Sequence, residues 1–404
     1  MQFQSGLSGL NAASQNLDVI GNNISNVSTI GYKGSTAQFA DVYANALQAS
    51  GGVQIGIGAN LSAVSQQFSQ GNIESTNNPL DVAINGGGFF QLATNGVTTY
   101  TRDGEFQVNN AGDLVTSTGA YVQGYSVDAN GNIVPTNPGN LQLSTAGIAP
   151  AATTTSTMQL NLDSTQPAIT ATFNPNDPTT YTYSTSQTVY DSLGNSHVLS
   201  TYFVKTGSNA WTMYPAVDGT QTNVSPASVN LTFGSDGALT APTSPTTISF
   251  QPGTGATSPQ SFTLSLTGTT QYGMTSSANA MTQNGNTGGS LSNFSINSDG
   301  TVVGNYTNGQ SKTLGQIVLA NFTNPQGLAS LSGNQWAQTA ASGQPLVAAP
   351  GTSNFGVLQA SSLEQSNVDL TSQLVNLMTA QYDYQANAQT IKTDSQLMQT
   401  IESL

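Results

Sequence analysis

Apolar residues recur every seven positions at both ends of this chain and every second position through most of the stretch between. Phe3, Leu10, Leu17 and Ile24 form one column, and Gly6, Ala13, Ile20 and Val27 fall three places after each, the spacing that lays a seam along one helix face. The pattern predicts a helix over 3–27. It ends at Ser28-Thr29-Ile30-Gly31-Tyr32-Lys33-Gly34, where two glycines and β-branched residues oppose further helix. At the other end Leu363, Leu370, Leu377, Tyr384, Ile391 and Met398 make a second column, with Leu374 and Ala388 beside it and Gln381 and Ser395 weakening it. Asp369 suits an N-cap, because its carboxylate can accept from first-turn amides at the positive end of the helix dipole. A helix from there to Ser403 would be about 50 Å long. One amphipathic helix ordinarily packs on its own domain's core. Two at opposite ends, with nothing else helical between, are harder to account for that way.

The span between the helices reads as β. Val229-Asn230-Leu231-Thr232-Phe233 and Phe262-Thr263-Leu264-Ser265-Leu266 alternate strictly, as half-buried strands do. Turn signals stand at Asn95-Gly96, Asp103-Gly104, Asn130-Gly131, Asp218-Gly219, Asp236-Gly237, Asp299-Gly300 and Asn308-Gly309. Composition shifts to Ala, Thr and Ser over Ser144 to Thr157, and to Gly and Asn over Asn284 to Ser290, which marks two linkers around an inserted domain. The expected fold is mainly β with long α-helical termini: a coiled-coil-like helix pair and two β-rich domains, the outer inserted in the inner. The expected boundaries are 1–30 and 364–404 for the helical part, 31–70 and 355–363 for connecting segments, 71–145 and 288–354 for the inner β domain, and 146–287 for the insert. Both termini then project from the same side.

Charge and cysteine narrow the function. Of 404 residues only 6% are charged, against roughly 25% in ordinary soluble domains. Yet 36% are hydrophobic, which favours a folded chain over a disordered one. The net charge is -14, and the five cations, Lys33, Arg102, Lys205, Lys312 and Lys392, are scattered singly, so nucleic acid is not an expected partner. With no cysteine there is no disulfide framework, thiol nucleophile or thiolate metal site. The first cation is Lys33, and Asn, Gln and Ser repeatedly interrupt the first 31 residues, so no secretory signal is read there. Nor does any stretch approach the roughly 18 apolar residues of a membrane span.

Each constellation that could carry chemistry has a simpler structural account. His197 is the sole histidine, without a second imidazole or thiol to share a metal or activate a nucleophile, and reads as a surface residue at a strand end. Asp128, Asn130 and Asn132 imitate the start of a calcium loop, but Ile133 and Gly139 stand where glycine and glutamate belong, leaving a hairpin turn. Gly86-Gly87-Gly88 leads into Phe89-Phe90-Gln91-Leu92, a strand and not a phosphate-binding helix. Asp103 and Glu105 are read as part of a hairpin beside Arg102. No catalytic residue, cofactor or metal is expected.

Ser8-Gly9-Leu10-Asn11-Ala12-Ala13, Leu17 through Asn26 and Thr29-Ile30-Gly31-Tyr32-Lys33 resemble the N-terminal signature of the flagellar rod and hook subunit family. Ser366-Asn367-Val368-Asp369-Leu370 and Ala380 through Ile391 are similar to its closing helix, although the family usually carries arginine where Tyr382 stands. Leu80 through Ile84, Gly88-Phe89-Phe90 and Tyr100 through Phe106 resemble the shared β domain. Val189 through His197 and Phe203-Val204-Lys205, with Gly315 through Phe322 and Gly327-Leu328, resemble the hook branch in particular. The resemblance implies a structural subunit that polymerises into a curved flexible tube, a universal joint carrying torque from rod to filament around an export channel. The polymerisation residues would be Phe3, Leu10, Ala13, Leu17, Ile20, Ile24 and Val27 of the first helix and Leu363, Leu370, Leu374, Leu377, Tyr384, Ala388, Ile391 and Met398 of the second. The motif residues would be Asn22, Asn23, Asn26, Gly31, Tyr32, Lys33, Asn367, Asp369, Gln381, Gln385 and Asn387. Implied partners are copies of itself, the distal rod protein, the hook–filament junction proteins, the hook assembly cap, the hook-length ruler and the flagellar export apparatus. The implied location is the flagellar hook outside the cell, reached without a cleaved signal peptide. A shorter distal rod subunit is the nearest alternative. A secreted β-rich carbohydrate-binding protein or adhesin would suit the polar β domains but not the heptad ends, and an enzyme fits worst.

Overall fold

A computed structural model describes residues 2–43, 56–128 and 131–402. The heptad ends form α1, Gln2–Ser25, and α2, Leu370–Glu402. Helix α1 stops two residues earlier than the sequence pattern, because Asn26 and Val27 leave the helix in turns whose amides bond back to Asn22, Asn23 and Ile24. Val27 therefore lies beyond the helix. The expected α2 end at Ser403 and the turn residue Asn130 lie outside the described residues.

The chain divides into two compact units. The first comprises Met1–Thr145, Asn293–Asn305 and Ser311–Leu404. After α1 a long hairpin pairs Ser35–Tyr43 with Gly56–Gln66. The main sheet then wraps a core of Val82, Ile84, Phe90, Leu92, Val122 and Ile317, and Phe89, Tyr100, Phe322 and Trp336 pack as an aromatic satellite. The chain returns to its start through Ser362–Glu364, which pairs antiparallel with Ile73–Ser75. Leu363 belongs to this strand and is buried there, so the helical column begins at Leu370.

The Asp103-Gly104 pair is not a hairpin turn. Phe106–Val108 pairs with Leu114–Thr116 and not with the preceding strand, and Val82 N–H donates to the Gly104 carbonyl. A Cβ on Gly104 would drive into the Val82 carbonyl, so the glycine marks a close backbone approach.

The second unit comprises Ala146–Ser292 and Tyr306–Gln310. It runs five residues past the expected insert boundary and takes in the tip of a later hairpin. A five-stranded sheet, from Tyr183–Tyr190 to Leu239–Ala241, and a six-stranded sheet containing Thr155–Asp163 and Gln260–Ser265 share one core. Leu199, Phe203 and Trp211 of the first meet Met158, Leu160 and Phe262 of the second, as the inward-facing residues of two packed sheets do. The alternation at Val229–Phe233 buries Leu231 and Phe233 and leaves Asn230 and Thr232 outside.

Candidate assembly site

Helices α1 and α2 run antiparallel, since Gly6 meets Ile391 while Ile20 shares a groove with Ala380. Small residues allow the approach. A Cβ on Gly6 would stand 3.0 Å from the Ile391 side chain, and one on Gly9 2.6 Å from Asn387 Oδ1. Ala13 and Ile20 are buried on this face, and Leu10, Leu17 and Ile24 are half-buried. The side chain of Phe3 lies outside the described residues. On α2 the inward face carries Leu377, Ala380, Asn387, Ala388 and Ile391, so the second column passes through Ala380 and Asn387, one position before Gln381 and Ala388. Leu370, Leu374, Tyr384 and Met398, expected in the seam, are exposed. They join Val375, Met378, Tyr382 and Leu397, also exposed, so α2 has apolar residues on its inner face and on its outer face.

The base of this helix pair is a polar junction. Tyr32 Oη donates to Asn22 Oδ1 at 2.7 Å. Asn23 donates to the Ser35 carbonyl and accepts from its amide, at 2.7 and 2.9 Å. Asn26 bonds back to the Asn22 carbonyl. Asn367 Oδ1 accepts from Gly34 N–H at 2.8 Å, while its Nδ2 donates to the Gln67 carbonyl at 2.6 Å. Gly31 takes a left-handed φ of 67°, donates to the Glu364 carbonyl at 2.7 Å, and passes so close to Asp103 that a Cβ would lie 2.6 Å from its amide. Asp369 caps α2, accepting at Oδ1 from Thr371 and Ser372 amides at 2.8 and 3.1 Å. Gln381 and Gln385 lie on the exposed part of α2, and Asn387 donates to the Asp383 carbonyl.

Beneath the junction two of the five cations converge on one carboxylate. Lys33 Nζ bonds Glu364 Oε1 at 2.6 Å and Arg102 bonds Oε2 at 3.0 Å, all three side chains being buried. Lys33 also donates to the Ser69 carbonyl, Arg102 to that of Gly86, and Gly71 N–H to Glu364. Arg102 lies over the Phe89 ring at 5.4 Å. Burial lowers the pKa of both cations, and Glu364 opposes that by attraction and hydrogen bonding. The sequence alone shows these cations as isolated, because residues 33, 102 and 364 are brought together only by the strand return. Beside them burial, with Glu105 and Asp81 nearby, raises the Asp103 carboxyl to about 6, although the Glu105 amide bonds its charged form.

Among the described residues no cluster of His, Asp or Glu could hold a metal. Gly86 and Gly88 take φ of 115° and 119° in a turn entering the Phe89–Thr94 strand. Asp128 accepts from the Asn132 amide, and Asn130 between them is outside the described residues. His197 is not the surface residue expected, being buried between two aspartates.

Four family descriptions match in chain order. They are flagella basal body rod protein over 3–33, flagellar hook protein FlgE/F/G D1 domain over 83–156, flagellar basal body protein FlaE D2 domain over 161–286, and flagellar basal body rod FlgEFG protein C-terminal over 359–404. The chain is 42% identical to the flagellar hook protein of Escherichia coli and 43% identical to that of Salmonella typhimurium, with all of each chain covered. It is 32% identical to the hook protein of Borreliella burgdorferi over 99% of its own length and 98% of the relative's. Its fold is similar to a crystal structure of Helicobacter pylori flagellar hook protein FlgE2, with TM-score 0.53 and 14% identity, covering 72% of this chain and all of that one.

Proposed function

The chain belongs to the flagellar hook protein family and is a structural subunit of the flagellar hook; on that premise we propose that its terminal helices form the polymerisation core of a tube. The carrying observation is the outer face of α2, where Leu374, Val375, Met378 and Tyr382 are exposed although the inner face is already packed on α1. These side chains are already about half covered, so covering the rest gives roughly 1 kcal/mol each, and neighbouring copies of the same helix pair supply the cover. The polymerisation residues are those of the columns through Leu10, Ala13, Leu17, Ile20 and Ile24 and through Leu370, Leu374, Leu377, Tyr384, Ala388, Ile391 and Met398, with Ala380 added. In this reading the motif residues around Gly31 and Asn367 fasten the helices to the β unit and carry load between them.

The subunit works in the flagellum, in a polymer that assembles with basal-body proteins. The distal rod protein, junction proteins, assembly cap, length ruler and export apparatus are the proposed specific partners. A chain shortened to end at Leu370 keeps Glu364, Asn367 and Asp369 and loses the rest of α2. It should stay monomeric at concentrations where the full chain forms tubes, by sedimentation and negative-stain microscopy. Tubes of the shortened chain would sink the proposal.

A further inference from the structure

The sole histidine is held on both sides within the second unit. His197 Nδ1 lies 2.6 Å from Asp218 Oδ2 and Nε2 lies 3.3 Å from Asp191 Oδ2. Its side chain is 4% exposed, and that of Asp191 is fully buried. A neutral imidazole has one N–H and one lone pair, so only the imidazolium can donate to both carboxylates. Without the extra proton, a ring lone pair must face a carboxylate oxygen.

Asp191 also builds the turn that meets the two strands leading into and out of this unit. Its Oδ1 accepts from the Leu193 and Asn195 amides, both at 2.9 Å. Its Oδ2 accepts from Asn195 Nδ2 and Thr254 Oγ1. At the turn's tip Gly194 has φ of 82°. It passes so close that a Cβ would lie 2.6 Å from Pro150 Cβ and 3.3 Å from Thr287 Cα. Those segments are laddered together, Ile148 with Gly289 and Ala151 with Asn286, by amide–carbonyl bonds of 2.8–3.1 Å.

We propose that His197 is a proton-operated latch: as imidazolium it locks the 191–195 turn onto the paired linker strands, and its deprotonation loosens them. Asp191 from the turn and Asp218 from the corner after Ala210–Val217 are the charged groups acting on the ring. The Thr246–Phe250 strand brings only the Phe250 ring, edge-on at 5.2 Å, and the loop after it the Thr254 hydroxyl. Burial lowers the affinity of His197 for its proton, but hydrogen bonds and attraction from Asp218 and Asp191 outweigh it, so the pKa is raised. Burial likewise disfavours the charged Asp191. The bonds from Asn195, Thr254 and His197 outweigh it and hold its carboxyl well below the usual range. A group with a raised folded pKa stabilises fully below its unfolded value, about 6.5 for histidine, and that contribution fades as pH climbs through the folded value. Asp191 contributes in the other sense, above the ordinary carboxylate range, so the latch is closed in mildly acidic to neutral solution.

The test uses the full-length protein, in which one histidine gives one imidazole signal. Its NMR titration should have a midpoint above the ordinary histidine value of about 6.5, and Asp218→Asn should lower that midpoint, the Asp218 bond and charge being the first of the effects that raise it. Amide exchange at Ile148, Ala151, Asn286 and Gly289, corrected for intrinsic rates, should quicken about tenfold from pH 6 to pH 9. In His197→Gln that added pH dependence should vanish, and where this variant does not fold, Asp218→Asn should shift the exchange transition to lower pH. An ordinary midpoint, or linker exchange that follows intrinsic rates alone, overturns the latch.

Discussion

Glu364 shows how much can hang on one carboxylate in a chain with few charges. Replacing it with glutamine keeps the shape but leaves Lys33 and Arg102 buried without their counter-charge, a change that typically costs about 3–5 kcal/mol. Urea unfolding of full-length Glu364→Gln should show a loss of that size, while Lys312→Gln, at an exposed strand position, should stay within about 0.5 kcal/mol of the parent. Asp103 behaves in the opposite sense. Its folded carboxyl titrates at about 6, above the ordinary value near 3.9, so its contribution to stability is greatest below the ordinary value and falls as pH rises to 6. Asp103→Asn preserves the acceptor for the Glu105 amide at 3.0 Å and removes that penalty. It should gain on the order of 1 kcal/mol at pH 7.5 and nothing at pH 3.5, by thermal melts at each pH. Neither effect is legible in the sequence. Lys33 and Arg102 look like solitary cations, and Asp103-Gly104 looks like a hairpin, because the partners are supplied by strands hundreds of residues away or by a close backbone approach.

At the scale of elements, the ends of the chain were the most legible part and also the place where the pattern ran one residue out of register. The heptads require two helices, and Asp369 starts the second where the cap chemistry says it should. The column through Leu377, Tyr384 and Ile391 is continuous, but apolar character is spread around α2, so periodicity cannot say which flank faces α1. The contacts of Gly6 and Gly9 with Ile391 and Asn387 decide it in favour of Ala380 and Asn387. Small residues were the missing signal, since Gly6, Gly9, Ala13 and Ala380 let helices approach without reading as hydrophobic. Two variants, one on each face, separate pairing from assembly. Leu377→Gln changes a half-buried position one turn from Ala380 and should loosen the helix pair, lowering its protection from proteolysis in the monomer. Leu374→Gln with Met378→Gln alters only exposed positions and should leave the monomer unchanged. It should still raise the concentration needed for tube formation by about tenfold or more, each 1.4 kcal/mol being a factor of ten. Equal critical concentrations for the double variant and the parent, by sedimentation, would remove the outer face from the assembly.

Over the whole molecule, low charge and an inserted unit lead to two expectations about the proposed polymer. Lys33 and Arg102 are committed internally and Lys205 is tied to the Ser164 and Gln166 carbonyls, so only Lys312 and Lys392 remain for exposed ion pairs, each worth about 0–1 kcal/mol. Tubes should therefore not dissociate between low and moderate salt, as turbidity would show. The second unit is the part whose loss such a polymer should survive. Its core of Met158, Leu160, Phe203, Trp211 and Phe262 is its own, and its entry and exit strands are already adjacent, Ile148 and Gly289 exchanging backbone bonds of 2.8 and 3.1 Å. Joining Gly147 to Ser290 through a short Gly-Ser linker removes that unit except for its ends and the Tyr306–Gln310 hairpin tip, and leaves Glu364, the junction and both helices in place. A tube bends when chemically identical subunits adopt slightly different spacings on its inner and outer sides. A surface poor in fixed ion pairs permits several near-equal packings, and contacts made by the second unit would choose among them. The deletion should still form tubes, but straighter ones that fail as a universal joint, seen as normal hook numbers with impaired swimming. Normally curved hooks from the deleted chain, or no tubes at all, would refute that division between a core that assembles and a unit that shapes.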